Sequence, residues 1–200
     1  MKTLVLTGGP CAGKTSVIEA LKPLLDDHVT FVPEVATMLF AGGFPVPGRN
    51  LEYDRADHLQ LQRAIGIAQL TLEGLCAKMA AKRGHQLMIC DRGLWDQAAY
   101  VDMEWEEYAE LLSVPFDELE YRYDKVLHLQ SLAVTAPELY QVDNNAVRYE
   151  IVETAIATDR KLQKVYARHH NALIIGDGVL GIADKARQVM HSIERLLHEK

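Results

Sequence analysis

Five short apolar runs punctuate the 200-residue chain: Thr3 to Thr7, Val29 to Val32, Gln86 to Cys90, Lys125 to Leu129 and Ala172 to Ile175. They lack the strict apolar–polar alternation of a half-solvated sheet, so they read as strands buried on both faces. Between them, apolar positions recur every three or four residues, the helical period. The longest such pattern runs from Asp54 to Lys82, where Leu61, Ile65, Ala68, Leu72, Leu75 and Met79 make one stripe. It stops at Lys82-Arg83-Gly84, basic residues that suit a helix C-terminus and then a glycine that accepts the left-handed cap. Val147 to His169 and Ile182 to Leu197 are further helical stretches. Strands alternating with helices predict an α/β fold with a parallel sheet covered on both faces.

Two segments break the pattern. Ala41 to Asn50 carries Gly42, Gly43, Pro45, Pro47 and Gly48 and reads as a loop after the second strand. Leu132 to Asn145, with Pro137 and the polar Asp143-Asn144-Asn145, reads as a mobile lid leading into the Val147 helix. No linker divides the chain, so residues 1–200 are expected to form one domain with a lid around 132–150.

Charge and cysteine usage narrow the setting. Lys and Arg number 21 against 28 Asp and Glu, a net charge of −7, which argues against a general nucleic-acid binder. No stretch is long enough to cross a membrane, and the first apolar run ends at Gly8, too early for a secretory signal. Cys11, Cys76 and Cys90 make no metal-binding spacing and read as thiols in a reducing, cytoplasmic compartment.

The chemistry begins at Gly8-Gly9-Pro10-Cys11-Ala12-Gly13-Lys14-Thr15, between the first strand and a helical pattern opened by Ser16. Glycine, four residues, then Gly-Lys-Thr is the spacing of a phosphate-binding loop. Backbone N–H groups wrap the phosphates only if the turn is tight, and the helix N-terminus adds its dipole. Gly8 through Ser16 are therefore the candidate nucleotide contacts. Lys14 would bridge the β- and γ-phosphates and the Thr15 hydroxyl would hold Mg²⁺.

Three further polar groups fall at predicted strand or helix ends. Asp91 closes the third strand in Leu87-Met88-Ile89-Cys90-Asp91-Arg92-Gly93, on the rim where ligands of parallel sheets collect, so it is a second candidate Mg²⁺ ligand. Arg92 follows and could reach substrate. Glu34, in Phe31-Val32-Pro33-Glu34-Val35-Ala36, could orient and deprotonate an attacking hydroxyl. It could equally be a glutamate stabilised by a helix dipole, and local sequence does not choose. Arg148 could neutralise charge on a transferred phosphoryl group; taken alone, it reads as a solvated arginine paired with Glu150 or nearby acids. Among the aromatics, most are assigned to the core, and Trp95 and Phe44 to the neighbourhood of a substrate. The acidic run Asp102 to Glu110 reads as a solvated helix face, and His169-His170 as a helix end.

These pieces together resemble a P-loop kinase of the nucleoside and nucleotide kinase group. In particular they resemble the small AAA-like ATP-binding family of ATPase/kinase proteins related to the ribosylnicotinamide kinase domain. The resemblance rests on "LTGGPCAGKTSVIEAL", "VPEVA", "CDRG", "YDKVLHLQ", "LYQVDNNAVRYE" and "IIGDGVLGIADKARQVM" and spans nearly the whole chain. It implies a three-layer P-loop sandwich with five parallel strands in the order 2-3-1-4-5. It also implies ATP and Mg²⁺ as cofactors, and phosphoryl transfer to a small hydroxyl- or phosphate-bearing metabolite. By the same resemblance Glu34 matches the base, Asp91-Arg92 the carboxylate–arginine pair and Gln62 the base-reading glutamine of deoxynucleoside kinases. Ile175 to Gly181 resembles their adenine-flanking loop, which adds Gly178 to the nucleotide contacts. The chain departs from that group in having Asp91-Arg92-Gly93 where Glu-Arg-Ser is usual, few aromatics on the Asp54 helix and a short lid with one arginine.

The competing reading is a regulatory P-loop ATPase with no small-molecule acceptor. A GTPase is disfavoured because the guanine motif and switch aspartate are missing, and an AAA+ motor because there is no room for its helical domain. The expected partners are a nucleotide and a small-molecule substrate, without nucleic acid or membrane. The Asp54 to Lys82 helix offers a face for a homodimer.

Overall fold

A computed structural model describes residues 1–25, 27–47, 52–140, 152–176 and 181–198, with the Leu139 side chain excepted. Five strands, β1 (Lys2–Thr7), β2 (Val29–Val32), β3 (Leu87–Asp91), β4 (Lys125–Leu129) and β5 (Ala172–Ile175), form one sheet. All neighbours are parallel, in the order β2-β3-β1-β4-β5. This is the P-loop order that the resemblance implied. Helices α1 (Lys14–Leu25), α2 (Val35–Ala41), α3 (Arg55–Arg83), α4 (Leu94–Tyr100) and α5 (Trp105–Leu112) follow in chain order. They are joined by α6 (Asp117–Glu120), α7 (Leu132–Thr135), α8 (Val152–Tyr166) and α9 (Ile182–His198).

The apolar runs become central strands because successive residues face opposite cores. Leu4, Leu6, Leu87, Ile89, Leu127 and Leu129 pack against Val17, Leu21, Val189, Ile193 and Leu196 of α1 and α9. Val5, Val32, Met88, Cys90 and Val126 pack on the other face against a core from α4, α5 and α8 that includes Trp95, Trp105, Tyr108 and Tyr166. The acidic run of α5 sits as its pattern predicts: Glu106, Glu107 and Glu110 are exposed while Trp105, Tyr108 and Ala109 are buried. Of the predicted core aromatics, Tyr121 is exposed and Tyr100 lies at the surface.

The long helix departs from its sequence pattern. Asp54 caps it through a reciprocal pair with Asp57, and Gly84 ends it in the left-handed conformation. Leu61 and Ile65 are buried as expected, but Leu75 is 55% and Met79 43% exposed. The buried face is instead Gln62, Ile65, Gly66, Gln69, Glu73 and Ala80, turned by roughly a quarter of a revolution at 100° per residue. Periodicity finds the apolar stripe, but here the inward face also meets polar partners. Gln69 hydrogen-bonds Glu73 at 2.6 Å, and Glu73 accepts from Arg122 Nε and from the Tyr123 hydroxyl at 2.9 Å.

The described part of the expected lid is packed. Ser131 caps α7, Ala133 and Ala136 are fully buried, and a 3-10 turn follows at Pro137–Leu139. Residues 141–151, with the start of the predicted Val147 helix, lie outside the described residues.

Trp95 lies flat on Trp105 with ring centroids 4.4 Å apart, both essentially without solvent contact. Trp95→Ala should lower the unfolding free energy by about 3–5 kcal/mol in urea titrations, as large aromatic deletions in cores do. The double variant with Trp105→Ala should cost less than the sum, because the shared stack is lost only once.

Candidate functional site

Parallel pairing brings the carboxyl ends of β1, β2 and β3 to one rim. Leu6 of β1 pairs with Asp91, Val32 of β2 pairs with Cys90, and the Arg92 N–H bonds the Leu6 carbonyl at 3.0 Å. The loop after β1, Glu34 after β2 and Asp91-Arg92 at the end of β3 are thereby neighbours. Asp91 is the last residue of its strand, one position beyond the predicted end at Cys90.

The loop turns tightly between Thr7 and Lys14. Gly8 has φ +143°, and a Cβ there would lie 2.2 Å from the Leu129 carbonyl oxygen, so only glycine fits. Helix α1 starts at Lys14, and its first N–H groups, which include those of Thr15 and Ser16, have no partners within the helix. Lys14 is buried with its ammonium on the Gly8 and Gly9 carbonyls at 2.8 and 3.3 Å. Burial, then the charge of Arg92, lowers its pKa to about 8 against the pull of Glu34 and Asp91. Thr15 and Ser16 are exposed at the helix start. Gly9 and Pro10, within the loop, are buried.

Arg92 is the organising charge. Its Nε donates to Glu34 Oε1, and its Nη1 donates to Asp96 Oδ1 at 3.1 Å and to the Gly8 carbonyl at 3.3 Å. Its guanidinium also lies 5.8 Å from the Tyr100 ring centre. Burial would raise the Glu34 carboxyl, but Arg92 and the Thr37 hydroxyl outweigh it and hold the group at about 2. Burial pushes Asp91 the other way, to about 6, with Lys14 opposing. One Asp91 oxygen is buried with no partner among the described residues, an acceptor left open for a ligand.

Arg92 has φ +68°, a left-handed conformation that costs a non-glycine residue and needs external support. Three side chains hold consecutive backbone groups there. Gln69 donates to the Arg92 carbonyl at 3.4 Å, Asp96 accepts from the Gly93 N–H at 3.0 Å, and the Tyr123 oxygen accepts from the Leu94 N–H at 2.7 Å. Asp96, fully buried, also accepts from the Thr7 hydroxyl and the Tyr166 hydroxyl, each at 2.8 Å.

Lys14, Glu34, Asp91 and Arg92, predicted as a set, do converge, each within electrostatic range of the others. Trp95 does not join them: it is core, stacked on Trp105, because α4 turns it under the sheet. Phe44 is part-exposed and lines an open cleft of about 390 Å³ with Pro45, Tyr53, Gln60 and Leu61. Gln62 is buried, and its side-chain oxygen has no partner among the described residues. Arg148 and Gly178 lie outside the described residues.

A family model described as an AAA domain matches residues 3–179. The chain belongs to this AAA-domain family. No curated protein matches it significantly. An AAA domain with this phosphate-loop spacing is a P-loop protein of the nucleotide-binding kind.

Reading by motif missed Asp96, Asp159 and Lys185. The first had a local signal, since an acid at the third position of a helix can accept from the N-cap N–H, as Asp96 does from Gly93. The other two had none.

The two shifted groups on the rim predict opposite proton linkages. If Asp91 holds Mg²⁺ it must be ionised to do so, and binding of Mg-ATP near pH 6 should then release protons. Bound phosphate restores the charge of Lys14, so binding near pH 8.5 should take protons up. Calorimetry in buffers of different ionisation enthalpy reads both signs, and Lys14→Ala should erase the uptake but not the release.

Proposed function

We propose that this AAA domain is an ATP-dependent small-molecule kinase that moves the γ-phosphoryl group onto a hydroxyl or phosphate of a nucleoside- or nucleotide-like metabolite. The observation that carries the reading is the Glu34–Arg92 ion pair beside Lys14 and Asp91. The pair supplies both an acceptor and a donor for a second substrate, next to the group that would hold the γ-phosphate. The open cleft beside Phe44 also gives room for a second ligand.

In this reading the N–H groups from Gly13 to Ser16 and the Lys14 ammonium hold the phosphates. Thr15 and Asp91 would hold Mg²⁺, which neutralises charge on the β- and γ-phosphates. Glu34 orients the acceptor hydroxyl. Its oxygen attacks the γ-phosphorus, the bond to the ADP oxygen breaks, and the proton leaves toward Glu34 or solvent. With its carboxyl held at about 2, Glu34 is a weak base but a firm hydrogen-bond acceptor. That suffices for a loose transition state in which positioning dominates. Arg92 keeps Glu34 ionised and presents N–H groups to the acceptor.

The test is a coupled ADP-release screen with Mg-ATP against nucleosides, nucleotides, ribosylnicotinamide and sugars. One class should stimulate ADP release. Glu34→Gln should keep ATP binding and lose about 10²-fold of the stimulated rate. If no acceptor stimulates and Glu34→Gln leaves basal hydrolysis unchanged, the regulatory ATPase reading replaces this one.

A further inference from the structure

The phosphate loop is held from behind by side chains that lie more than a hundred residues away. Asp159, on α8 and 1% exposed, turns Oδ1 to the Gly9 N–H at 2.8 Å and to the Ser131 N–H at 3.2 Å. Its Oδ2 faces His128 Nε2 at 3.2 Å. Ser131 in turn donates its hydroxyl to the Pro10 carbonyl. Lys185 of α9, 3% exposed, donates to the Ala12 carbonyl at 3.0 Å and to the Gln130 carbonyl at 2.7 Å. A Cβ on Gly9 would sit 2.8 Å from Asp159 Cβ and Oδ1, so the carboxylate fills the space directly behind the loop.

We propose that Asp159 is the positioning residue of the phosphate loop, fixing the Gly9 amide so that the loop's remaining N–H groups face the nucleotide phosphates. A carboxylate so close to a phosphate site would oppose anion binding unless neutralised. Lys185 offsets that charge, since its ammonium interacts with Asp159, and His128 hydrogen-bonds the carboxylate. Burial alone would raise the Asp159 carboxyl, but the bonds from His128, Gly9 and Ser131 hold it low. The charge is therefore retained, and a charge-assisted bond orients an amide more firmly than a neutral one. Preorganisation of this kind shows as affinity, because a loop already shaped does not have to be ordered when the ligand arrives.

The inference rests on nucleotide binding by the loop and not on the identity of an acceptor. Asp159→Ala should weaken Mg-ATP binding about 10- to 100-fold by calorimetry, the scale of one charge-assisted hydrogen bond. Asp159→Asn keeps an acceptor oxygen for the Gly9 and Ser131 N–H groups but not the charge, and should fall between wild type and the alanine variant, a loss of about 3- to 10-fold. A lower Tm with unchanged Kd in the alanine variant would assign Asp159 to stability alone and overturn the proposal. Equal losses in both variants would overturn the hydrogen-bond account. Where the alanine variant does not fold, amide exchange in the wild-type chain decides. The Gly9 N–H should be strongly protected without nucleotide, and free exchange there would also sink the idea. A wild-type chain that binds no Mg-ATP refutes nucleotide binding itself, while the Gly9 exchange rate still reports whether Asp159 holds the loop.

Discussion

A guanidinium taken out of water must be neutralised on every side it presents, and Arg92 meets that demand by joining the ends of three strands. It stands at the end of β3, pairs with Glu34 after β2, touches the Gly8 carbonyl after β1 and bonds Asp96 on α4. Two carboxylates, Glu34 and Asp96, face the one guanidinium, and removing both would leave a buried charge uncompensated, which is costly. The rim is therefore one electrostatic unit. Within it, Arg92 pulls Glu34 down while burial pushes Asp91 up, so two carboxylates on one rim acquire different chemistry from their surroundings.

Helix α8 reaches both halves of that unit. Asp159 and Tyr166 are seven residues apart, two turns, and so lie on one face. Asp159 holds Gly9 in the loop after β1, and Tyr166 holds Asp96 beside Arg92. The distance between phosphate loop and arginine is thus set by a rigid helix as well as by the sheet. Sites held by packed elements are more accurately placed than sites held by loops.

The left-handed backbone of Arg92 is strain accepted on the carboxyl rim of the sheet. Its support comes from Gln69, Tyr123 and Asp96, and Gln69 and Tyr123 both converge on the buried Glu73. This explains why the inward face of α3 is polar at Gln69 and Glu73, where its sequence periodicity points to Leu75 and Met79. A helix chosen only for core packing would bury its apolar stripe.

Sequence alone determined the five strands, their parallel alternation with helices, the phosphate loop, and the placement of Glu34, Asp91 and Arg92 at strand ends. All of these are local: apolar runs, a loop spacing, and the rule that parallel strands gather their carboxyl ends on one rim. Tertiary structure decided the rest. Trp95 follows a rim motif but is buried, because the direction of α4, not proximity in sequence, sets where it points. Asp159 and Lys185 reach the loop across 150 and 173 positions of chain, and no local pattern distinguishes them from solvated charges on a helix. Which acid of a helix turns inward depends on the surface waiting for it, here the backbone of a glycine too small to keep a carboxylate away.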